Sequence, residues 1–393
     1  MAIQAAFTLT ANEIYNTLAN MIISQEVFAD NLGKHQTLVD KARVDGGLFG
    51  DTKLYYATDV LKSHDWLNDA EAANLLALER PEDPEVQAIK LDKFRQIRLT
   101  LDNYLSKRAF ASEGAFAQFN SVMLGWMGET KRVYEGTLYN TFIGTAESSQ
   151  GAQMQSINLT SALSGLSGIE KEKMEAMIIA QRLADLMVEM GDYSRDFNDY
   201  ANLRSYGDES IKVVWNAKYV NKIRKVDLPA IFHKEGLVDK FEEDQLPARY
   251  FGTVITASNV ASFSDATPAA GKPIDSDDSS YVPGSNHANG CIRSMVEKDV
   301  TVSAVAYHVF PGDEIPAGAT IKAGGTFELG EVYIEQGDVI CKVLVKLPPI
   351  MSAFEVGTTF FNPRSLTENH YVTWGYNTLQ HLKNYPLITV KAV

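Results

Sequence analysis

Gly168–Gly191 reads GIEKEKMEAMIIAQRLADLMVEMG and predicts one long amphipathic helix. Its apolar side chains recur at steps of three and four residues, which is the spacing of one helix face. They are Met174, Met177, Ile178, Leu183, Leu186, Met187 and Met190. Gly191 is the predicted stop, because glycine enters the left-handed cap conformation at little cost. We expect a spine between two β-rich regions; the alternative is an ordinary core helix.

Length and composition indicate a folded chain with two or three cores: 393 residues, 45% hydrophobic and 22% charged. No run of eighteen apolar residues predicts a membrane span, and the N-terminus lacks the basic flank of a secretion signal. The only two cysteines, Cys291 and Cys341, favour a reducing cytosol over a disulfide framework. The net charge of −14 argues against tight phosphate binding, although an acidic container wall around nucleic acid remains compatible with it.

The N-terminal part predicts an arm with a first helix, followed by an extended loop. Residues 52–61 and 93–102 alternate with period two and predict strands that face each other in a long hairpin. Pro81–Glu85 (PEDPE) is an acidic loop between them. Such an arm has little core of its own, so we expect it to lean on another subunit.

Residues 112–143 predict a second long helix, with a break or bend near Gly128 because glycine weakens helices. Its predicted buried face consists of Phe116, Phe119, Met123, Trp126, Met127, Val133 and Tyr134.

After the helix at Gly168–Gly191 the pattern predicts a compact α/β unit with strands at Ile211–Trp215 and Phe251–Thr256. Residues 259–337 predict an inserted β-rich surface module, because short β runs alternate there with Gly- and Pro-containing turns. Three strands then return to the body, at residues 339–346, 370–376 and 386–393.

No motif for catalysis or for a cofactor survives inspection. Ala266–Pro273 (ATPAAGKP) resembles a phosphate-binding loop but lacks its first glycine and its Ser or Thr. No two histidines pair at i, i+4, so we expect no metal site, catalytic residue or cofactor. Weaker candidates are acidic turns and a cysteine–histidine pair, which we interpret as solvated or core residues: Asp275, Asp277 and Asp278; Cys291 with His287 or His308; Glu242, Glu243 and Asp244.

The order of these parts resembles the major capsid proteins of tailed bacteriophages with the Hong Kong 97-type fold, and within them the small podoviruses of the phi29 type. The resemblance covers most of the chain, and the extra piece near 260–337 departs from it. It is carried by Gly50–Ile143, Ser194–Tyr206 (SRDFNDYANLRSY), Lys225–Val254 and Asn362–Tyr376 (NPRSLTENHYVTWGY).

The resemblance implies an α+β fold with six parts. They are an N-terminal arm and first helix (1–46), an extended loop (47–110), a peripheral domain with the spine helix (111–193), an axial domain (194–258), the inserted β-rich module (259–337) and returning strands (338–393).

The resemblance also implies a non-enzymatic function. Copies of the chain would form pentamers and hexamers of an icosahedral shell around double-stranded DNA, contacted non-specifically. Implied partners are a portal, a scaffolding protein, and a head fibre or decoration protein at the inserted module. The chain would be assembled in the host cytoplasm and reside in the virion.

Charged side chains are the predicted subunit contacts. We expect Lys53, Arg95 and Arg98 to meet acidic residues of a neighbour, namely Glu82, Asp83 and Glu85. The alternative is exposed charge worth roughly 0–1 kcal/mol per pair.

Two other functions stay open from the sequence. One is a cellular compartment shell of the same fold, like an encapsulin, which holds enzyme cargo. The other is a sugar-binding or hydrolytic protein that acts through residues 259–347.

Overall fold

The computed structural model describes residues 37–46, 52–63, 80–102, 113–220, 242–260, 263 and 291–393. The predicted first helix of the arm lies outside the described residues. So does the loop with Ala266–Pro273 and the three aspartates.

The described residues form long and short helices and mostly short strands. The α-helices are α1 (Thr37–Ala42), α2 (Glu113–Thr145), α3 (Leu159–Ala162) and α4 (Gly168–Gly191). The strands are β1 (Arg43–Asp45), β2 (Thr52–Ala57), β3 (Glu85–Asp102), β4 (Met154–Ile157), β5 (Lys212–Asn216), β6 (Glu242–Leu246), β7 (Gly252–Val254), β8 (Ile292–Ser294), β9 (Lys298–Val302), β10 (Val305–Val309), β11 (Val332–Glu335), β12 (Val339–Leu344), β13 (Ile350–Asn362), β14 (Thr367–Asn377) and β15 (Leu387–Ala392).

The chain divides into two compact units, and each is discontinuous in sequence. The first contains Met1–Asp51, Lys90–Gly136 and Ile350–Thr378. The second contains Thr52–Ile89, Thr137–Pro349 and Leu379–Val393. The six-part division implied by the resemblance stays a prediction.

The long strands form one sheet in the order β1-β13-β14-β3-β2. Strand β1 is parallel to β13, and β13, β14 and β3 are antiparallel. The predicted pairing of the two loop strands is therefore incomplete: β2 adjoins β3, but Leu91–Asp102 also pairs along its whole length with β14 near the C-terminus. β3 also begins at Glu85, eight residues before the predicted start at 93, so the acidic loop ends in a strand.

Helix α4 has the predicted bounds but is a core helix of the second unit. Leu183, Leu186 and Met190 pack into the unit's main hydrophobic cluster, as predicted. Met174 and Met177 are exposed instead, because the buried stripe passes through Ala176, Ile179 and Ala180. The helix thus belongs to the core of the second unit. Its interpretation as a spine between two β-rich regions stays a prediction.

The end of α4 also differs from the prediction. Gly191 does not have a positive φ, and the cap is Asp192 in extended conformation with φ of −85°. Left-handed glycines lie at the start of the helix instead: Gly165 (φ 81°) precedes it and Gly168 (φ 59°) is its first residue. The glycine conformation is thus used to turn the chain into the helix.

A mixed five-stranded sheet faces α4 in the order β4-β15-β12-β5-β6. The outer pairs β4–β15 and β5–β6 are parallel and the inner pairs are antiparallel. The predicted strands at 211–215, 339–346 and 386–393 are its members β5, β12 and β15, and its apolar side chains join the α4 cluster.

The β-rich segment builds two small sheets over its own core. β7, β11 and β8 form an antiparallel sheet, and β9 and β10 form a hairpin. Their core contains Phe327, Ile292 and Ile334 at 0–1% exposure. We predicted the strand at Phe251–Thr256 in the main α/β unit, but it is β7 of this module, because it pairs with β11.

Helix α2 is continuous from Glu113 to Thr145, so the break predicted at Gly128 is wrong. Met127 and Tyr134 are buried as predicted, whereas Trp126 is exposed. Close packing requires a glycine near the C-terminal end, where a Cβ on Gly144 would overlap the Tyr250 carbonyl oxygen.

Two glycines of α2 therefore predict opposite effects of alanine. Gly128→Ala should raise the free energy of unfolding by about 1 kcal/mol, because its Cβ meets nothing within 4 Å and alanine favours the helix. Gly144→Ala should lower it by roughly 1–3 kcal/mol through overpacking. Urea denaturation measures both, and equal effects of the two variants would contradict this packing.

Lys342 on β12 is fully buried in the second unit. Its Nζ donates to the Ala146 carbonyl at 2.7 Å and to Thr389 Oγ1 at 2.9 Å. Burial disfavours the charged amine and lowers the pKa of Lys342 to about 7. In the unfolded chain a lysine keeps a proton until about pH 10.4.

This lysine predicts a rise of stability with pH. Above pH 7 the unfolded chain holds a proton that the folded chain lacks, so the free energy of unfolding rises by up to about 1.4 kcal/mol per pH unit toward pH 9. Lys342→Met should remove that slope. Urea denaturation at pH 7, 8 and 9 tests it, and an unchanged slope in the variant would show that Lys342 stays charged.

Candidate functional site

The predicted contact residues Arg95 and Arg98 both lie on β3, but on opposite faces of the sheet. Side chains alternate along a strand, so Arg95 shares a face with Ile97 and Leu99. Arg98 shares the other face with Gln96 and Thr100. The two arginines therefore have different surroundings.

Arg95 is engaged within the first unit. Its guanidinium carbon lies 4.3 Å from the centroid of the Tyr134 ring. Tyr134 is buried, meets the ring of Trp374 edge-on, and its hydroxyl is hydrogen-bonded to that of Tyr376. A cation stacked on a buried ring contributes to the stability of its own chain.

Arg98 lies on an exposed polar face. Its Nε donates to Gln96 Oε1 at 2.9 Å, and Gln96 Nε2 donates to Thr373 Oγ1 at 3.1 Å. One step along the sheet, Thr100 Oγ1 donates to Asn369 Oδ1 at 2.6 Å. The guanidinium is thus held on the sheet surface by a ladder of uncharged groups.

Exposed aromatic rings border this ladder. Phe94 and Phe360 are 53% and 61% exposed. The strand register puts Phe360 opposite Asn369, and therefore on the Arg98 side. We call this surface, formed by Phe94, Gln96, Arg98, Thr100, Phe360, Asn369, Tyr371 and Thr373, the open sheet face.

The acidic partners lie in the second unit. Glu82 Oε1 and Lys62 Nζ are 2.8 Å apart, and both side chains are almost fully exposed. The hydrogen bond from Lys62 lowers the pKa of Glu82. Asp83 and Glu85 are exposed as well, and Lys53 is half-buried on β2. Part of the acidic charge is therefore balanced within the chain, but by a surface pair of little strength.

The sequence did not predict the turn that anchors this loop. Residues 194–206, which we call the anchor turn, donate hydrogen bonds to the Asp59 carboxylate. Asp59 Oδ1 accepts from the Leu203 amide at 2.9 Å and Oδ2 from Arg195 Nη1 at 2.6 Å. The bond from Leu203 and the bond from Arg195 lower the pKa of Asp59 to about 2. No sequence spacing indicates this contact, because 136 residues separate Asp59 from Arg195.

The anchor turn also contributes Asp199 to a partly buried polar cluster. Asp199 Oδ1 accepts from Ser148 Oγ at 2.5 Å and Gln153 Nε2 at 3.1 Å, and Oδ2 contacts His381 Nε2 at 2.6 Å. Serine and histidine bind the same carboxylate rather than each other. They therefore lack the serine–histidine contact of a hydrolase triad.

The remaining chemical candidates are engaged elsewhere. His308 has Asp299 Oδ1 2.6 Å from Nδ1 and Glu297 Oε1 3.0 Å from Nε2. Glu242 on β6 forms an ion pair with Lys212 on β5, with Oε2 and Nζ 2.6 Å apart. His287 lies outside the described residues. Among the residues that the structure describes, no cluster of three or more His, Cys, Asp or Glu is placed to hold a metal ion.

No helix in the described part of the chain is long and apolar enough to span a membrane.

Comparison with known proteins identifies the fold. No family model and no curated protein matches the sequence. Among solved structures, a chain in the capsid structure of Staphylococcus phage Andhra is 12% identical with a TM-score of 0.53, over 90% of this chain and 83% of that chain. A chain in the structure of the head fiber and inner core protein gp22 of native bacteriophage P68 is 11% identical with a TM-score of 0.51, over 89% and 86%.

The chain thus has a mixed α+β fold that is found in a phage capsid structure. The α+β class predicted from the sequence is confirmed. At this identity the likeness concerns the fold alone, and the Hong Kong 97 type and the podovirus subtype stay predictions.

The two arginines predict different effects on stability. Arg95→Ala should lower the free energy of unfolding by about 1–2 kcal/mol, because it removes the cation stacked on Tyr134. Arg98→Ala should change it by less than about 0.5 kcal/mol, as is usual for exposed positions. Thermal and urea denaturation measure both, and a larger loss for Arg98→Ala would reverse the assignment of faces.

Proposed function

We propose that this chain is the major capsid protein of a bacteriophage, which self-assembles into pentamers and hexamers of an icosahedral head shell. The observation that carries the proposal is the likeness of fold to the Andhra capsid structure over 90% of the chain. The function is structural rather than enzymatic, and the protein resides in the virion after assembly in the host cytoplasm.

The charge of the chain supports a container for DNA rather than a DNA-binding protein. With a net charge of −14, the shell wall repels phosphates and contacts the packaged double-stranded DNA without sequence preference. The further partners in the proposal are a portal and a scaffolding protein, with a head fibre or decoration protein at the β-rich module.

Subunits meet, in this proposal, through the open sheet face of one copy and residues Pro81–Glu85 of a neighbour, which we call the acidic segment. Arg98 is the exposed one of the three predicted cations and faces Glu82, Asp83 and Glu85 of another copy. Lys53 and Arg95 remain secondary predicted contacts. Opposite charge steers the two surfaces together, and the exposed rings of Phe94 and Phe360 add apolar area.

The first test is the mass and shape of the purified chain. Light scattering and negative-stain microscopy should show closed shells, or rings of five or six, alone or after a scaffolding protein is added. Shells with enzyme cargo and no DNA would instead indicate a cellular compartment. A chain that stays monomeric with scaffold, and whose β-rich module binds a sugar, would contradict the shell function.

Charge reversal at the open sheet face tests the contact. Arg98→Glu should lower the shell yield at least about tenfold, because like charges then meet at each of many repeated contacts. Adding Glu82→Lys, Asp83→Lys and Glu85→Lys to the Arg98→Glu chain should restore the yield. Lys171→Glu, on the exposed first turn of α4, is the control for the change in net charge. An unchanged shell yield of the Arg98→Glu chain would contradict the proposed contact.

A further inference from the structure

The base of the extended loop is fixed at one point by the anchor turn. The Asp59 carboxylate accepts hydrogen bonds from the Leu203 amide and from Arg195, and Arg204 Nη2 donates to the Thr58 carbonyl. Three donors from one turn thus hold two consecutive loop residues. Residues 58–63 are irregular and have no strand partner to fix them otherwise.

The anchor turn is rigid enough to act as a support. Ser194 and Arg204 exchange both backbone hydrogen bonds, each at 2.9 Å. Asn198 Oδ1 accepts from the Asn202 amide at 2.8 Å, and its Nδ2 donates to the Asn202 carbonyl at 2.7 Å. These bonds close the turn around Ala201, which has a positive φ of 54°.

The two sides of the loop are joined beyond this base. Lys62, three residues after Asp59, pairs with Glu82 of the acidic segment. On the returning side, buried Gln87 donates to the His381 carbonyl at 2.8 Å and accepts from the Lys383 amide at 3.0 Å. The acidic segment is therefore held on both sides. On one side Glu82 pairs with Lys62, which follows the anchored Asp59, and on the other side Gln87 bonds to residues 381 and 383.

We propose that Asp59 is a positioning residue for assembly: its bonds to the anchor turn hold the acidic segment in the orientation in which a neighbouring copy binds it. The inference rests on the proposed shell function. A segment that is ordered before it binds loses less conformational entropy on binding, so the same contacts give a more stable assembly.

The bonds to Asp59 persist across the physiological pH range. The Leu203 amide and Arg195 keep the pKa of Asp59 near 2, so the carboxylate is ionised above about pH 4. The Arg195 pair is half-exposed and is weakened by salt, whereas the bond from the Leu203 amide is less sensitive.

The test compares three variants of the full chain. Asp59→Ala removes all the side-chain bonds. Asp59→Asn keeps an acceptor for the Leu203 amide but loses the charge that binds Arg195. Glu189→Ala is the matched control, because it breaks a partly exposed ion pair with Arg182 on α4, away from the loop.

Hydrogen exchange on the monomer and shell yield are both measured. Asp59→Ala should speed exchange of the Leu203 amide and of the amides at 58–63, 82, 83, 85 and 86 by about tenfold or more. Exchange of the Ser194 and Arg204 amides, each of which donates to the carbonyl of the other residue, should not change. Shell yield should fall about as far as in Arg98→Glu, with Asp59→Asn between this variant and the wild type, and Glu189→Ala should behave as wild type.

Two results would overturn the positioning role. One is faster exchange confined to Leu203, which would make the bonds local. The other is a wild-type shell yield of Asp59→Ala. If the wild-type chain forms no shell, the proposed function fails, while exchange at residues 82–86 still decides whether Asp59 orders the acidic segment.

Discussion

A carboxylate that leaves water must be surrounded by donors, and Asp199 shows how this requirement holds the second unit together. Burial pushes the pKa of Asp199 upward, but the bonds from His381 and Ser148 outweigh burial and lower it. Because the donors come from residues 148–153 and 381, the ionised group joins segments that are far apart in sequence. Asp59 repeats the arrangement at the other side of the anchor turn, in more solvent. One turn thereby supports both the unit's polar interior and residues 58–59.

In the first unit the alternation of side chains on β3 decides which charges are available to other molecules. Arg95 points to the helix-covered face, where Tyr134 and Trp374 are buried, and its charge stabilises the chain's own fold. Arg98, three residues later, points to the open sheet face, where its neighbours are uncharged. A shift of one residue in the register with β14 would exchange the two roles. The pairing of β3 with β14 therefore fixes both the fold of the sheet and the side of the sheet on which each arginine lies.

Local patterns predicted the elements well, because helix period and strand alternation are properties of neighbouring residues. The bounds of α4 and the strands β5, β12 and β15 follow from them. The misses depend on distant residues. Leu91–Asp102 pairs with a strand some 270 positions later, and β7 joins the β-rich module through β11. Met174 and Met177 fit a helical stripe, but the sheet that α4 packs on selects a face rotated away from them.

Of the candidate site, the sequence predicted only which charged residues take part. The charged residues of the loop stand out in the sequence, but their faces and partners do not. Asp59 and Gln87 carry no local signal at all, since their partners Arg195 and Lys383 are 136 and 296 residues away. Long-range polar contacts obey no spacing rule, so only the folded chain reveals that the loop is anchored at both sides.

The weakness of each surface pair is compatible with assembly. An exposed pair such as Lys62–Glu82 contributes roughly 0–1 kcal/mol, so Arg98 and one acidic residue do not hold two copies together. On the open sheet face hydrogen bonds join Arg98 to Gln96, Gln96 to Thr373 and Thr100 to Asn369. In the proposed shell every copy would give and receive this contact, and linked contacts multiply their equilibrium constants. Weak, pre-positioned contacts therefore favour the closed assembly over pairs of subunits, and they leave wrongly joined subunits free to separate.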